Sequence, residues 1–130
     1  MLDGGQLEDC VTRFSRESGL VAVWLFGSAA ADRLRADSDI DFALYFSPGT
    51  EPSLGGLGRL AMDLESILGR KVDLGCLDSR NLVYAVQAFQ SGRLVYAKNE
   101  SEAVALVSHL QTLYVDLKED RKVVEEAYCA

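Results

Sequence analysis

Two predicted strands, joined by a short polar segment, constrain the fold of this chain more than any other feature. Residues 21–46 read VAVWLFGSAAADRLRADSDIDFALYF, so an apolar run ends at Gly27-Ser28 and a second run begins at Asp39. Side chains alternate between the two faces of a strand, which predicts that Asp39 and Asp41 share one face. The apolar side chains predicted on the opposite face, toward a core, are Ile40, Phe42, Leu44 and Phe46.

Two carboxylates on one strand face favour a cation site over a structural role. Like charges at this spacing repel, and each carboxyl group resists ionisation unless a cation lies between them. Mg²⁺ takes hard oxygen ligands and is usually held by one or two carboxylates together with substrate phosphates. Asp39 and Asp41 therefore indicate a site for Mg²⁺ and a substrate that carries phosphate groups.

The spacing of these residues resembles the signature of the polymerase beta-like nucleotidyltransferase superfamily. Ten residues separate Gly27-Ser28 from Asp39-Ile40-Asp41. The segment SDIDFAL, in a short chain, is similar to the minimal nucleotidyltransferases, which are the MNT antitoxins paired with HEPN toxins. The resemblance implies an α/β (α+β) fold, with helices packed against a small mixed sheet of the nucleotidyltransferase type.

The same resemblance implies a reaction and a set of site residues. Mg²⁺-dependent transfer of AMP from ATP to a hydroxyl group is the expected activity, and the acceptor is expected to be a tyrosine of a HEPN toxin. Gly27 and Ser28 are implied to bind the triphosphate, and Asp39 and Asp41 to hold two Mg²⁺ ions. Ser28 also suits the first turn of a short helix, where backbone N–H groups attract phosphate.

A third carboxylate comes from a predicted strand at Lys71–Cys76, where polar or small residues alternate with apolar ones. Asp73 is then presented on one face of this strand, beside the first two carboxylates. The resemblance makes Asp73 a third metal ligand and the general base, whereas a lone aspartate in a strand otherwise marks an edge or a solvated face. Arg33 and Arg35 are candidates for reaching the triphosphate, and a solvated loop explains them equally well.

One departure from the family pattern bears on activity. Relatives commonly have a basic residue and then a glycine shortly after the Gly-Ser pair, whereas this chain has Ala31 and Asp32. A carboxylate near a triphosphate is unfavourable, so an antitoxin that neutralises its toxin by binding, with little or no catalysis, stays open. Transfer to a small molecule of the aminoglycoside type is a further alternative, although that class usually needs an additional domain for its acceptor.

Composition limits the partners of the chain. Its 20 acidic and 13 basic residues give a net charge of −7, which disfavours binding to long nucleic acids. No apolar run approaches the roughly 20 residues of a membrane span. An odd count of cysteines (Cys10, Cys76 and Cys129) and the absence of a secretory signal indicate reduced thiols and a cytoplasmic protein. Lone His109 is expected to be a surface residue and not a metal ligand.

Apolar periodicity predicts the remaining elements. Helices are expected at about residues 5–18 and 54–68, with glycine stops at Gly19 and Gly69, and a third helix between a cap at Asp78 or Ser79 and Gly92. Trp24 is expected in the core. We predict a nucleotidyltransferase domain at residues 1–98 and a helical extension at residues 99–130, with a break near Arg121. The extension packs either on the domain or on a partner, including a second copy. Its predicted apolar stripe comprises Val104, Val107, Leu110, Tyr114, Leu117, Val124 and Tyr128.

Overall fold

The described residues of the computed structural model form four helices and four strands. The structure describes residues 4–26, 39–78 and 80–129, with only the helical backbone for residues 120–129. The elements are α1 Gly4–Ser15, β1 Leu20–Phe26, β2 Ile40–Phe46, α2 Leu54–Leu68, β3 Val72–Cys76, α3 Leu82–Ser91, β4 Arg93–Ala97 and α4 Glu100–Cys129. The predicted α/β fold with a small mixed sheet is confirmed.

The sheet has the strand order β3-β2-β1-β4. Strand β1 is antiparallel to both of its neighbours, β2 and β4, whereas β2 and β3 run parallel. A parallel pair needs a long crossover connection, which here is α2. Every β1 residue from Leu20 to Leu25 is buried, as expected for a central strand with helices on both faces.

Each face of the sheet has its own hydrophobic core. On one face, α1 and α2 cover the even-numbered residues of β2, and the rings of Phe14 and Phe42 meet edge to face with centroids 5.3 Å apart. On the other face, α3 and α4 cover Trp24 and Ala43, and Trp24 packs on Phe89 at 5.1 Å. The predicted inward side chains of β2 and the core position of Trp24 are confirmed.

Two helices end at the predicted glycines, whereas the N-cap predicted for α3 is wrong. Gly69 ends α2 in the left-handed conformation, with φ 65°, and Gly92 ends α3, both as predicted. The cap predicted at Asp78 or Ser79 is wrong, since α3 begins after Asn81. The Asp78 carboxylate instead accepts hydrogen bonds from the backbone and the guanidinium of Arg80, which forms a turn before the helix.

Two further boundaries differ from prediction. Helix α1 ends at Ser15, before the left-handed Gly19, because a turn follows in which the amide groups of Arg16 and Glu17 donate to carbonyls of the last helical turn. Helix α4 runs without a break past Arg121. Leu54, in the first turn of α2, is 89% exposed.

Helix α4 seals the second core with a face that overlaps the predicted stripe only in part, at Val107 and Leu110. Ala103, Leu106 and Leu110 are buried on this face, and Val107 and Leu113 pack partly against it. Val104 and Leu117, predicted in the stripe, are 64% and 38% exposed. Apolar side chains lie on more than one face of this helix, so the periodicity of the sequence alone does not identify the face that packs on the core. Within the described residues, no helix is both long and apolar enough to cross a membrane.

Candidate nucleotidyl transfer site

The parallel pairing of β2 and β3 brings the predicted carboxylates together. Asp41 and Asp73 are direct partners across the two strands, and the amide of Ile40 donates to the carbonyl of Lys71 at 2.9 Å, which fixes this register. Asp39 lies one residue before β2 and is exposed, so its predicted position inside the strand is wrong. Three carboxylates therefore lie at the end of the sheet where β2 and β3 begin.

The carboxylates differ in their surroundings. Asp41 is half-buried, whereas Asp39 and Asp73 are exposed. Burial raises the pKa of Asp41 above its ordinary value, and the negative charges of Asp73 and Asp39 raise it further. In the described part of the chain, no side chain donates a hydrogen bond to Asp41 or Asp73, and none forms an ion pair with either carboxylate. The cluster thus concentrates negative charge that a cation would relieve.

The donor set of this cluster fits Mg²⁺ when the ion arrives with a nucleotide. Carboxylate oxygens are the ligands that Mg²⁺ prefers, and phosphate oxygens commonly complete its shell. Among the described residues, no three acidic, histidine or cysteine side chains are arranged to enclose a metal ion by themselves. Asp41 with one neighbouring carboxylate, completed by phosphate oxygens, satisfies the usual ligand number for this ion.

Two aromatic side chains, Phe26 and Tyr84, lie beside the carboxylates, and the sequence did not predict this pair. Phe26, the last residue of β1, is the direct partner of Asp41, and its ring meets the ring of Tyr84 edge to face at 5.5 Å. The Tyr84 hydroxyl lies against Gly75 on β3. Burial raises the pKa of Tyr84 to about 12, with contributions from Asp41 and Cys76, so the phenol stays protonated at neutral pH.

The glycine at residue 75 is the feature of the sequence that could have indicated this aromatic pair. A glycine inside a strand often marks the place where another group approaches the backbone closely. Here a Cβ on Gly75 would overlap the Tyr84 hydroxyl and come within 2.7 Å of Cζ. The sequence pattern indicates that something is close to Gly75, but it does not show that the group comes from α3.

The predicted nucleotide-binding residues Gly27, Ser28, Arg33 and Arg35 lie outside the described residues, as does the departure at Ala31-Asp32. The described strand β1 ends at Phe26, directly opposite Asp41, and Gly27 is the next residue in the chain. His109 is exposed on α4, as predicted.

Comparisons with known proteins agree with this architecture. The family model described as "Polymerase beta, Nucleotidyltransferase" matches residues 8–101. A search of curated proteins gives no significant match. A solved structure described provisionally as a minimal nucleotidyltransferase is 31% identical, with a TM-score of 0.56, and the match covers 68% of this chain and 88% of that one.

Two solved toxin–antitoxin complexes are similar over nearly the whole chain. A toxin–antitoxin structure with AMP-PNP gives a TM-score of 0.73 at 21% identity and covers 99% of this chain and 100% of that chain. The structure of a tri-AMPylated HEPN toxin of Shewanella oneidensis with MNT antitoxin gives 0.72 at 21% identity, covering 96% of this chain and 97% of that one. At this identity the likeness establishes the fold, which is the nucleotidyltransferase fold that the sequence predicts.

Proposed function

The chain belongs to the polymerase beta nucleotidyltransferase family, and from that premise we propose that it transfers AMP from ATP to a hydroxyl group, as the antitoxin of a HEPN toxin. The observation that carries the proposal is the pairing of Asp41 with Asp73 across parallel strands, with Asp39 one residue before β2. This arrangement supports metal-assisted phosphoryl chemistry, in which catalysis consists mostly of positioning and charge neutralisation.

The site residues would bind the metal, bind the nucleotide and accept the proton of the acceptor. Asp39, Asp41 and Asp73 would hold Mg²⁺, and Gly27 and Ser28, with Arg33 and Arg35, would bind the triphosphate. When bound, Mg²⁺ supplies charge neutralisation and polarises the phosphoryl oxygens. Asp73, which is exposed at the mouth of the site, is the proposed general base that takes the proton from the acceptor hydroxyl.

The bond changes define what an assay must detect. The acceptor oxygen bonds to the α-phosphorus of ATP as its proton passes to Asp73. The bond between the α-phosphorus and the bridging oxygen breaks, and that oxygen leaves with pyrophosphate. AMP remains on the acceptor as a phosphodiester. The acceptor that we propose is the toxin, since a solved complex with a similar fold contains a tri-AMPylated HEPN toxin. We propose a tyrosine as the modified residue because the family resemblance implies it.

The helical extension at residues 99–130 is the proposed partner surface. The match to the family model ends at residue 101, near the start of α4. Helix α4 contacts α3 and β1 with the face that carries Leu106 and Leu110, and the side chains at residues 115–119 are all exposed. Val115 is 52% exposed, which supports an apolar contact with a toxin or a second copy. The free thiols of Cys10 and Cys76 support a cytoplasmic location.

The test is to purify the chain with its native partner, incubate the complex with ATP and Mg²⁺, and measure the mass of the partner. We expect added AMP on a tyrosine, and loss of that addition in Asp39→Asn and Asp41→Asn, both still folded. Asp63→Asn is the matched control, because Asp63 lies on α2, where it binds Arg13 on the other face of the sheet.

Each alternative predicts a different result. A stable complex with no added mass at any Mg²⁺ concentration would contradict the transfer proposal and favour an antitoxin that acts by binding alone. AMP transfer to an added aminoglycoside, with the partner left unmodified, would favour a small-molecule acceptor. Full transfer in Asp41→Asn would contradict the assignment of the metal ligands.

A further inference from the structure

We propose that Tyr84 is a positioning residue of this site, whose hydroxyl donates a hydrogen bond to the Asp41 carboxylate when metal and nucleotide are bound. The inference rests on the proposed function, because it assigns Tyr84 a role toward a metal-binding carboxylate. It adds a residue from α3 to a site otherwise built from β1, β2 and β3.

Two small residues, Ala43 and Gly75, lie next to the carboxylates on the strand face that Tyr84 contacts. Ala43 and Gly75 are direct partners across β2 and β3, and each lies two residues beyond its aspartate on the same strand face. Both residues are small, and the Tyr84 hydroxyl lies above Gly75, where a side chain would otherwise be. A larger side chain at residue 75 would displace that hydroxyl.

A second contact limits how far the ring can move. Phe26 meets Tyr84 edge to face, with centroids 5.5 Å apart and planes at 73°. Because Phe26 is the direct partner of Asp41, the ring is held between the carboxylate strand and the start of α3. Aromatic pairs of this geometry contribute about 1 kcal/mol beyond burial, so the contact favours a ring orientation close to the observed one.

The Tyr84 hydroxyl lies above Gly75, so the hydrogen bond needs the Asp41 carboxylate to turn toward Gly75 and the Tyr84 ring to shift toward Asp41. Neighbouring strands lie about 4.8 Å apart and two residues span about 6.7 Å, so Gly75 is about 8 Å from the Asp41 backbone. Among the described residues, no side chain donates a hydrogen bond to the Asp41 carboxylate, so none of them competes with Tyr84 for it.

A donor to a metal-binding carboxylate fixes its orientation and tunes the affinity for the metal. Removal of such partners typically costs 10–100-fold in metal affinity or activity. Tyr84→Phe removes only the hydroxyl and keeps the ring between Phe26 and Gly75. Tyr96→Phe is the matched control, since Tyr96 is also half-buried but packs on Phe14 on the opposite face of the sheet.

The experiment adds each full-length protein to a fixed mixture of Mn²⁺ and ATP and follows binding of the Mn²⁺–ATP complex by the relaxation rate of water protons, because ATP alone already removes free Mn²⁺ from solution. We expect Tyr84→Phe to weaken Mn²⁺ binding about 10-fold, with the melting temperature unchanged, and Tyr96→Phe to match the wild type. Gly75→Ala, which displaces the hydroxyl without removing it, is expected to weaken Mn²⁺ binding as well. A role in packing alone would change the melting temperature and leave Mn²⁺ affinity unaltered.

Two failures are distinguishable. If the wild type binds Mn²⁺ with ATP and Tyr84→Phe binds it equally well, the role of Tyr84 is overturned and the proposed function stands. If the wild type binds no Mn²⁺ in the presence of ATP, the proposed function fails and the role of Tyr84 fails with it.

Discussion

Replacement of Asp41 by asparagine is expected to stabilise the metal-free protein while it abolishes transfer. Asp41 is half-buried opposite Asp73, and its pKa is raised by burial, by Asp73 and by Asp39. A raised pKa means that the folded protein binds the proton more tightly than the unfolded chain does. The ionised carboxylate therefore costs stability at neutral pH, and an uncharged amide of similar size removes that cost.

The magnitude follows from the spacing of the strands. Partner residues on neighbouring strands are about 4.8 Å apart, which places two carboxylates that diverge slightly at about 5–6 Å. At an effective dielectric of 20, Coulomb's law gives about 3 kcal/mol for such a pair. Asp73 is exposed, so solvent screening reduces this value to about 1 kcal/mol. For a chain of 130 residues this corresponds to a rise of about 4 °C in the melting temperature.

The assay is urea unfolding of wild type and Asp41→Asn in EDTA at several pH values. The gain should be full at pH 7 and should shrink as the pH falls through the raised pKa of Asp41 toward the ordinary value of 3.8. Asp63→Asn is a control of opposite sign, because Asp63 accepts a hydrogen bond from Arg13 at 2.8 Å and its loss should destabilise. Equal or lower stability of Asp41→Asn at pH 7 would refute the argument from charge repulsion.

Three further substitutions and one labelling reaction test the fold. Gly69→Ala should cost about 1 kcal/mol in urea unfolding, because φ is 65° and no neighbouring atom would touch the new methyl group; an unchanged midpoint would contradict this. Leu110→Ala should cost about 2–4 kcal/mol, because Leu110 is 1% exposed in the second core. Val115→Ala should stay within about 0.5 kcal/mol, and equal effects of the two would mean that α4 does not seal the core. Burial raises the pKa of the Cys10 thiol to about 11, so a thiol reagent at pH 8 should label Cys10 only as fast as the protein unfolds, measured by peptide mass mapping.

The sequence was most informative where one periodicity dominated. In β2 the alternation of Asp41, Phe42, Ala43 and Leu44 has a period of two, and the structure buries the even-numbered side chains on α1 and α2 as predicted. The pairing of Asp73 with Asp41 depends on a register between separate strands. Local pattern placed Asp73 on a strand face, and the family resemblance suggested its neighbours.

Prediction failed where two patterns competed or where the cause lay in another element of the fold. Helix α4 carries apolar side chains on more than one face, so periodicity selected Val104 although the core uses Leu106. The Tyr84 hydroxyl lies where a side chain at Gly75 would be. Tyr84 belongs to α3, so this contact exists only when α3 packs on the sheet. Asp39 follows the alternation of β2, yet the strand begins only at Ile40, the first residue that bonds to the neighbouring strand.

The position of β1 between β2 and β4 has a consequence for the order of folding. Trp24 pairs with Ala43, nineteen residues later, and with Leu94, seventy residues later. Closing the longer loop costs more chain entropy, and non-local contacts of this kind slow folding. We therefore expect β1 and β2 to pair in the transition state and β4 to join afterwards. Substitutions in β4 should then accelerate unfolding in a chevron analysis, whereas those in β2 should slow refolding. The last strand to join would be the one that leads directly into α4, so the helix would complete its packing only after the carboxylate strands had formed.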